Sequence, residues 1–382
     1  MQMIYLDNNA TTRPADEVVQ AMTACMQEMY GNPSSVHRFG QLARKAVDDA
    51  RLSVSRLIGC KPAELIFTSG GTESVNTAVR GLYRIRRPRT KVIISAVEHS
   101  ATLGACEWLH AEGAQIEEIG VDQGGHLDMD RLAAELGDEV ALVSIMWANN
   151  ETGVVFDVAK IAALCRDAKV PFHCDATQAI GKVPVDVKLG GLDMLSFSGH
   201  KFHGPKGIGG LYVRRGVRMV PLVPGGPQEM VRRGGTENVP GIVGMGRAAD
   251  LAAAHLAGMP RVASMRDRLE AGIIGSIADA FVNGDRETRL LNTTNIGFAR
   301  LESEAILLLL SERGICASAG AACASGSLEA SRVLKAMKID PRVGHGAIRF
   351  SLSRYTTDPE IDHVLEVLPG VISRLRAVLP VG

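Results

Sequence analysis

The chain has 382 residues, 46% of them hydrophobic and 22% charged, with 42 Lys and Arg balanced by 42 Asp and Glu. That length exceeds one small core, so two domains are expected. A formal charge of +0 gives no reason to expect nucleic acid or an anionic membrane as partner, and no apolar run is long enough to span a bilayer.

The seven cysteines (Cys25, Cys60, Cys106, Cys165, Cys174, Cys316 and Cys323) are scattered, with no Cys-x-x-Cys pair. This argues against a disulfide framework or a metal site and for a reduced, cytoplasmic setting. Residues 1–9 have neither the basic start nor the long apolar run of a signal peptide.

In chain order, helices are expected at 41–58, 72–85, 101–111, 128–136 and 157–169, and strands at 64–68, 91–95, 115–119, 141–146, 171–174 and 194–197. Alternation of this kind predicts an α/β fold around a mostly parallel sheet flanked by helices, with ligands gathered at the carboxyl ends of the strands. An Ala-rich helical tract over 239–277 is broken at Gly258-Met259-Pro260, the best position for a domain boundary. Beyond it, segments 292–298, 302–310 and 347–352 mix strand and helix character, as a smaller α+β domain does.

The chemically loaded residues follow the apolar runs. Thr68-Ser69-Gly70-Gly71-Thr72 lies between a strand and a helix, where backbone N–H groups can hold a phosphate; an ordinary turn with Thr72 as helix cap is the other reading. It fits neither a Walker A nor a dinucleotide fingerprint. Glu98-His99 follows the next strand, Asn149-Asn150 a third, and Asp175 to Gln178 a fourth. Asp175 is either an Asx turn or a buried carboxylate that needs a cation. Ser198-Gly199-His200-Lys201 ends the series, where Lys201 is suited to neutralise a phosphate or to act as an amine nucleophile. A lysine amine, an acid for a pyridinium nitrogen and a phosphate cup together make the layout of a pyridoxal phosphate enzyme.

Two further residues stand apart. Cys323, in Ala321-Ala322-Cys323-Ala324-Ser325-Gly326, has neighbours too small to wall it into a core; a reactive thiol and a tight packing contact both fit. Arg349 interrupts a strand-like run and suits either capture of a carboxylate or a salt bridge between domains.

Jointly the pieces resemble the cysteine desulfurases of the NifS/IscS type, in the class-V aminotransferase superfamily of fold-type I pyridoxal phosphate enzymes. The matching stretches include Tyr5 to Thr12, Gly31 to Ser35, Thr68 to Glu73, Glu98-His99, Asn149 to Gly153, Asp175 to Gln178, Ser198 to Lys201, Gly235 to Asn238, Cys323 to Gly326 and Ile348 to Leu352. The resemblance implies a large cofactor-binding domain over 13–257 and a smaller domain from 1–12 and 258–382 that carries the cysteine loop. It implies that Lys201 bears pyridoxal 5'-phosphate, Asp175 pairs with the ring nitrogen, Gln178 meets the ring oxygen, and His99 stacks and moves protons. Gly71, Thr72, Ser198 and His200 would bind the phosphate, with Thr236 reaching it from the partner of a homodimer. Asn150 and Arg349 would bind the substrate carboxylate, Asn150 also lying near the ring, and Cys323 would take sulfur from L-cysteine as a persulfide for an iron-sulfur scaffold or another acceptor protein.

Three positions depart from commoner family patterns: Ala321, Pro227 and Ser353. Ser351 to Thr356 is closer to the nitrogen-fixation branch. Selenocysteine lyase, class-V aminotransferase and a non-catalytic sulfur-delivery scaffold are the alternatives. Cys323 separates the first two from a desulfurase, and the intact set of Lys201, Asp175 and His99 argues against the third.

Overall fold

The computed structural model describes residues 3–319 and 331–378. Their strands, in chain order, are β1 (Ile4–Tyr5), β2 (Leu65–Thr68), β3 (Lys91–Ser95), β4 (Gln115–Ile119), β5 (Val140–Met146), β6 (Phe172–Asp175), β7 (Met194–Ser198), β8 (Gly209–Val213), β9 (Ala280–Val282), β10 (Thr293–Phe298), β11 (Ile315–Cys316) and β12 (Ala347–Ser351).

Seven of them form one sheet in the order β2-β8-β7-β6-β5-β3-β4, parallel at every pairing except the two that β8 makes. β5 is buried along its whole length, as a strand covered on both faces must be. Its residues divide between two cores. Leu142 belongs to one core, with Val79 and Leu82 of helix Gly71–Arg86 and Leu109 of helix Ser100–Ala111. Val143 and Ile145 belong to the other core, with Val47 and Val54 of helix Arg38–Leu57 and Ile242 and Met245 of helix Val239–His255. Each such side chain, fully removed from water, stabilises the fold by roughly 1.5–3 kcal/mol.

β8 has no counterpart among the sequence expectations, because its first two residues are glycines, poor strand formers. Packing supplies the reason for them. A Cβ on Gly210 would lie 2.3 Å from the Phe197 ring, so only glycine lets β8 lie beside β7 there. Helices Asp16–Glu28 and Asp358–Val378 also go beyond the expected elements. The tract over 239–277 is two helices, Val239–His255 and Met259–Ser276, joined by a single 3-10 turn; Pro260 sits in the first turn of the second, where its missing N–H costs no helical bond.

A separate core gathers Leu6, Met265, Leu269, Ile296, Ile348, Phe350, Ile361 and Leu368 around the antiparallel sheet β12-β10-β9 and helices Met259–Ser276 and Asp358–Val378. The start of the chain joins this part: β1 pairs with β11 in parallel, Ile4 opposite Ile315 and Tyr5 opposite Cys316. From there the chain crosses to the large sheet, where the Thr12 and Ala15 N–H groups donate to the carbonyls of His200 (2.9 Å) and His203 (3.0 Å). Residues 7–15 thereby lie against the turn that follows β7.

Candidate active site

Strands β2, β3, β5, β6 and β7 run in one direction, so their carboxyl ends share one edge of the sheet. Lys201 closes the 3-10 turn Gly199–Lys201 directly after β7, and its Nζ donates to the main-chain carbonyls of Asn9 (2.7 Å) and Ala10 (2.8 Å). His200 bonds through Nδ1 with the Thr11 hydroxyl at 3.1 Å. Burial, reinforced by the charges of Lys201, Lys206 and Lys182, pushes its pKa down to about 4, which keeps the ring neutral.

Beside this turn, Gly70 and Gly71 open helix Gly71–Arg86. A Cβ on Gly71 would lie 3.2 Å from Thr177 Oγ1 and 3.5 Å from Ser198 Cβ, and one on Gly209 would lie 2.6 Å from the Gly70 carbonyl carbon. The glycines therefore let the helix start settle against the Thr177 and Ser198 side chains. The first backbone N–H groups of any helix lack an i−4 acceptor, and with these hydroxyls they form a cup suited to an anion. Thr72 is exposed in that first turn.

Asp175 ends β6 and is buried; Oδ1 accepts from the Thr177 N–H at 3.0 Å, so the Asx turn and the buried carboxylate occur together. His99 caps helix Ser100–Ala111 by accepting the Ala101 N–H at Nδ1 (3.1 Å), which puts the proton of the neutral ring on Nε2. Burial lowers its pKa, the Asp175 charge opposes that shift and the Lys201 charge adds to it, so the imidazole stands within reach of both fields.

Gln178 donates from Nε2 to the Asn9 carbonyl at 2.9 Å. The Asn150 carbonyl accepts from Asn9 Nδ2 (3.2 Å) and from Arg349 (3.0 Å). Arg349, fully buried in β12, also forms a 2.6 Å ion pair with Asp7, within the part of the chain assigned to the small domain, while its bond to the Asn150 carbonyl reaches the large one. Thr236 is exposed, in a loop tied to the Gly71–Arg86 helix by the 2.9 Å ion pair between Arg233 and Glu73. Cys323 and Ala321 lie outside the described residues. Asn9, Thr177 and Lys182 were not singled out by sequence reasoning. Lys182 carries one available signal, since it lies four residues beyond Gln178 and bonds back to its Oε1 at 2.5 Å.

The arrangement fits pyridoxal phosphate group for group. It offers an amine held on carbonyls for the aldehyde, a buried carboxylate for the ring nitrogen, and a helix start flanked by hydroxyls for the phosphate. The family model described as aminotransferase class-V matches residues 4–364. Cysteine desulfurase 2 of Trichormus variabilis is 51% identical over 380 residues, spanning 100% of this chain and 96% of the relative. The chain belongs to the class-V aminotransferase family, among its cysteine desulfurases. Cysteine desulfurase NifS of Azotobacter vinelandii is 50% identical over 382 residues, spanning 100% of this chain and 95% of that one. A solved structure of a NifS-like protein superposes with a TM-score of 0.92 at 36% identity, covering 98% of this chain and 100% of the other. The cofactor of the family is pyridoxal phosphate.

Proposed function

We propose that the protein converts L-cysteine to L-alanine and receives the sulfur on Cys323 as a persulfide. The observation that carries the reading is the placement of Lys201 after β7, with Asp175, His99 and the Gly71 helix start on the same edge of the sheet. Lys201 would hold the cofactor covalently, Asp175 its ring nitrogen and Gln178 its ring oxygen. Gly71, Thr72, Ser198 and His200 would hold its phosphate, and Asn150 and His99 would border the ring. When bound, the cofactor supplies an electron sink that eases loss of the substrate Cα proton.

The chain's own groups do the rest. The Lys201 amine accepts the Cα proton at Nζ, where the Asn9 and Ala10 carbonyls keep it oriented. His99 holds its exchangeable proton at Nε2. Arg349 and Asn150 bind the substrate carboxylate, with Asp7 already fixing one arm of the guanidinium. The Cys323 thiolate attacks the substrate sulfur: an S–S bond forms, the Cβ–S bond breaks, the bonding pair stays with Cβ, and Cβ takes up one proton while Cα regains one as alanine leaves. Sulfur is transferred without an outside oxidant.

Further parts of the reading rest on the family resemblance. The protein acts in the cytoplasm as a homodimer, with Thr236 completing the partner's phosphate site. It delivers sulfur to an iron-sulfur scaffold, nitrogenase maturation being favoured by the Ser351 to Thr356 sequence. A division into a large domain over 13–257 and a small domain from 1–12 and 258–382 is supported by the separate core around Leu6, Ile296 and Phe350.

Incubating purified wild type, Cys323→Ala and Lys201→Ala with L-cysteine tests the central claim. Equimolar alanine and persulfide or sulfide are expected only from the wild type. Unchanged sulfur release from Cys323→Ala overturns the persulfide step, and a wild type that shows no visible absorption band after cofactor is added overturns the assignment of Lys201.

A further inference from the structure

Asn9 is 1% exposed, yet every polar atom it has is engaged. Its N–H donates to Ser351 Oγ at 2.9 Å, and its carbonyl accepts from Lys201 Nζ at 2.7 Å and Gln178 Nε2 at 2.9 Å. Its Oδ1 accepts from Lys182 Nζ at 2.9 Å and Asn292 Nδ2 at 3.2 Å, while Nδ2 donates to the Asn150 carbonyl at 3.2 Å and Thr293 Oγ1 at 2.9 Å. One residue thus joins the amine on Lys201, the amide on Gln178 and the carbonyl that Arg349 also holds.

Lys182 is the unusual member of this group. It is 7% exposed, and among the described residues no carboxylate pairs with it. Its two acceptors are amide oxygens, Asn9 Oδ1 and Gln178 Oε1. Burying an amine against neutral acceptors is unfavourable compared with an apolar side chain of the same length, so the group is a costly way to fill space. Burial, with the charges of Lys201 and Arg349 adding to it, drives its pKa well below the usual lysine range. Two acceptors face its N–H groups. With Oε1 held by Lys182, the Gln178 amide can point only its nitrogen at the Asn9 carbonyl, since a flipped amide would set two oxygens together and leave Lys182 without an acceptor.

We propose that Lys182 and Asn9 are positioning residues for the Lys201 amine: Lys182 locks the Gln178 and Asn9 amides, and the locked Asn9 carbonyl orients Lys201 Nζ. The inference rests on the reading of Lys201 as the cofactor-bearing residue. Lys182→Met removes the donor while keeping length, Asn9→Ala keeps the main-chain carbonyl but removes its anchor, and the two act through one network.

The test uses holoenzyme of wild type, Lys182→Met, Asn9→Ala and the double variant. For each, kcat and KM for L-cysteine, the pH titration of the visible band of the lysine-bound cofactor, and Tm are measured. Each single change is expected to lower kcat by about tenfold or more with KM altered less than about threefold, because orientation rather than binding is lost. The titration midpoint moves by at least about half a unit, and the double variant is no worse than the worse single one. Lys182→Gln, which restores an amide donor, recovers part of kcat and serves where Lys182→Met does not fold. A wild type with the band and a folded Lys182→Met or Lys182→Gln within about twofold of it in kcat, at an unmoved midpoint, overturns the inference. So does a double variant whose losses simply multiply. A wild type without the band overturns the Lys201 reading, and this inference with it.

Discussion

Glu98 shows how much a single buried group tells about this site. Its Oε1 accepts from Ser95 Oγ at 2.5 Å and the Met146 N–H at 2.9 Å, while Oε2 is buried without a hydrogen-bond partner among the described residues. Burial, aided by the nearby Asp175 charge and only partly offset by these donors, raises its pKa from 4.5 to about 8. The folded protein then binds this proton more tightly than the unfolded chain does. The resulting stability is complete below pH 4.5 and is lost as the pH rises through 8. Glu98→Gln mimics the neutral form, so its stability relative to wild type should rise between pH 5 and 8.5 by on the order of 1 kcal/mol or more. Denaturant melts at both pH values check this; a constant difference between the proteins would show that Glu98 is not protonated in the fold. A neutral Glu98 also spares Asp175 a second negative charge nearby. Lys201, Asp175 and His99 stood out in the sequence because each lies at or shortly after the end of an apolar run. Asn9 did not, since its partners Gln178 and Ser351 stand 169 and 342 residues away in sequence.

At the scale of elements, β8 is the piece that periodicity could not find and the site most needs. It enters the sheet at the carboxyl edge, Gly209 lying opposite both Thr68 and Ser198, and so sets the Gly70 turn and the end of β7 on either side of itself. A methyl on Gly209 would press on the Gly70 backbone at 2.6 Å and on the Phe197 carbonyl at 2.7 Å, neither of which can move cheaply. Gly209→Ala is therefore expected to push the helix start away from Ser198 and weaken cofactor binding by about tenfold or more. Titration of apoenzyme with pyridoxal phosphate, followed by the visible band, measures this. An unchanged affinity in a folded variant would mean that the cup does not depend on β8. The strands around it were readable because β-branched and aliphatic runs between turns are a local signal.

For the whole molecule, the proposed homodimer can be tested through the loop that carries Thr236. Thr236 is exposed, on a loop held by Arg233–Glu73 and by the paired hydrogen bonds of Arg51 to Glu229 (2.9 and 2.5 Å), so the loop has a firm base and an outward tip. If that tip completes the partner's phosphate site, mixing Lys201→Ala with Thr236→Ala subunits creates hybrids in which one site carries both changes and the other carries neither. Random reassociation should then recover about a quarter of wild-type activity from two weakly active parents. Recovery absent after verified subunit exchange would leave Thr236 serving its own chain.

By itself the sequence determined the α/β alternation, the sheet edge on which chemistry gathers, and the family, since these depend on local periodicity and on short motifs. Only the tertiary structure decided that residues 7–12 leave the small sheet to hold Lys201, that Lys182 is buried without a carboxylate among the described residues, and that Arg349 is tied to Asp7. Those facts depend on pairings between distant segments. Hydrogen-bond partners chosen by three-dimensional packing leave no period in the chain, so no reading along it could have supplied them.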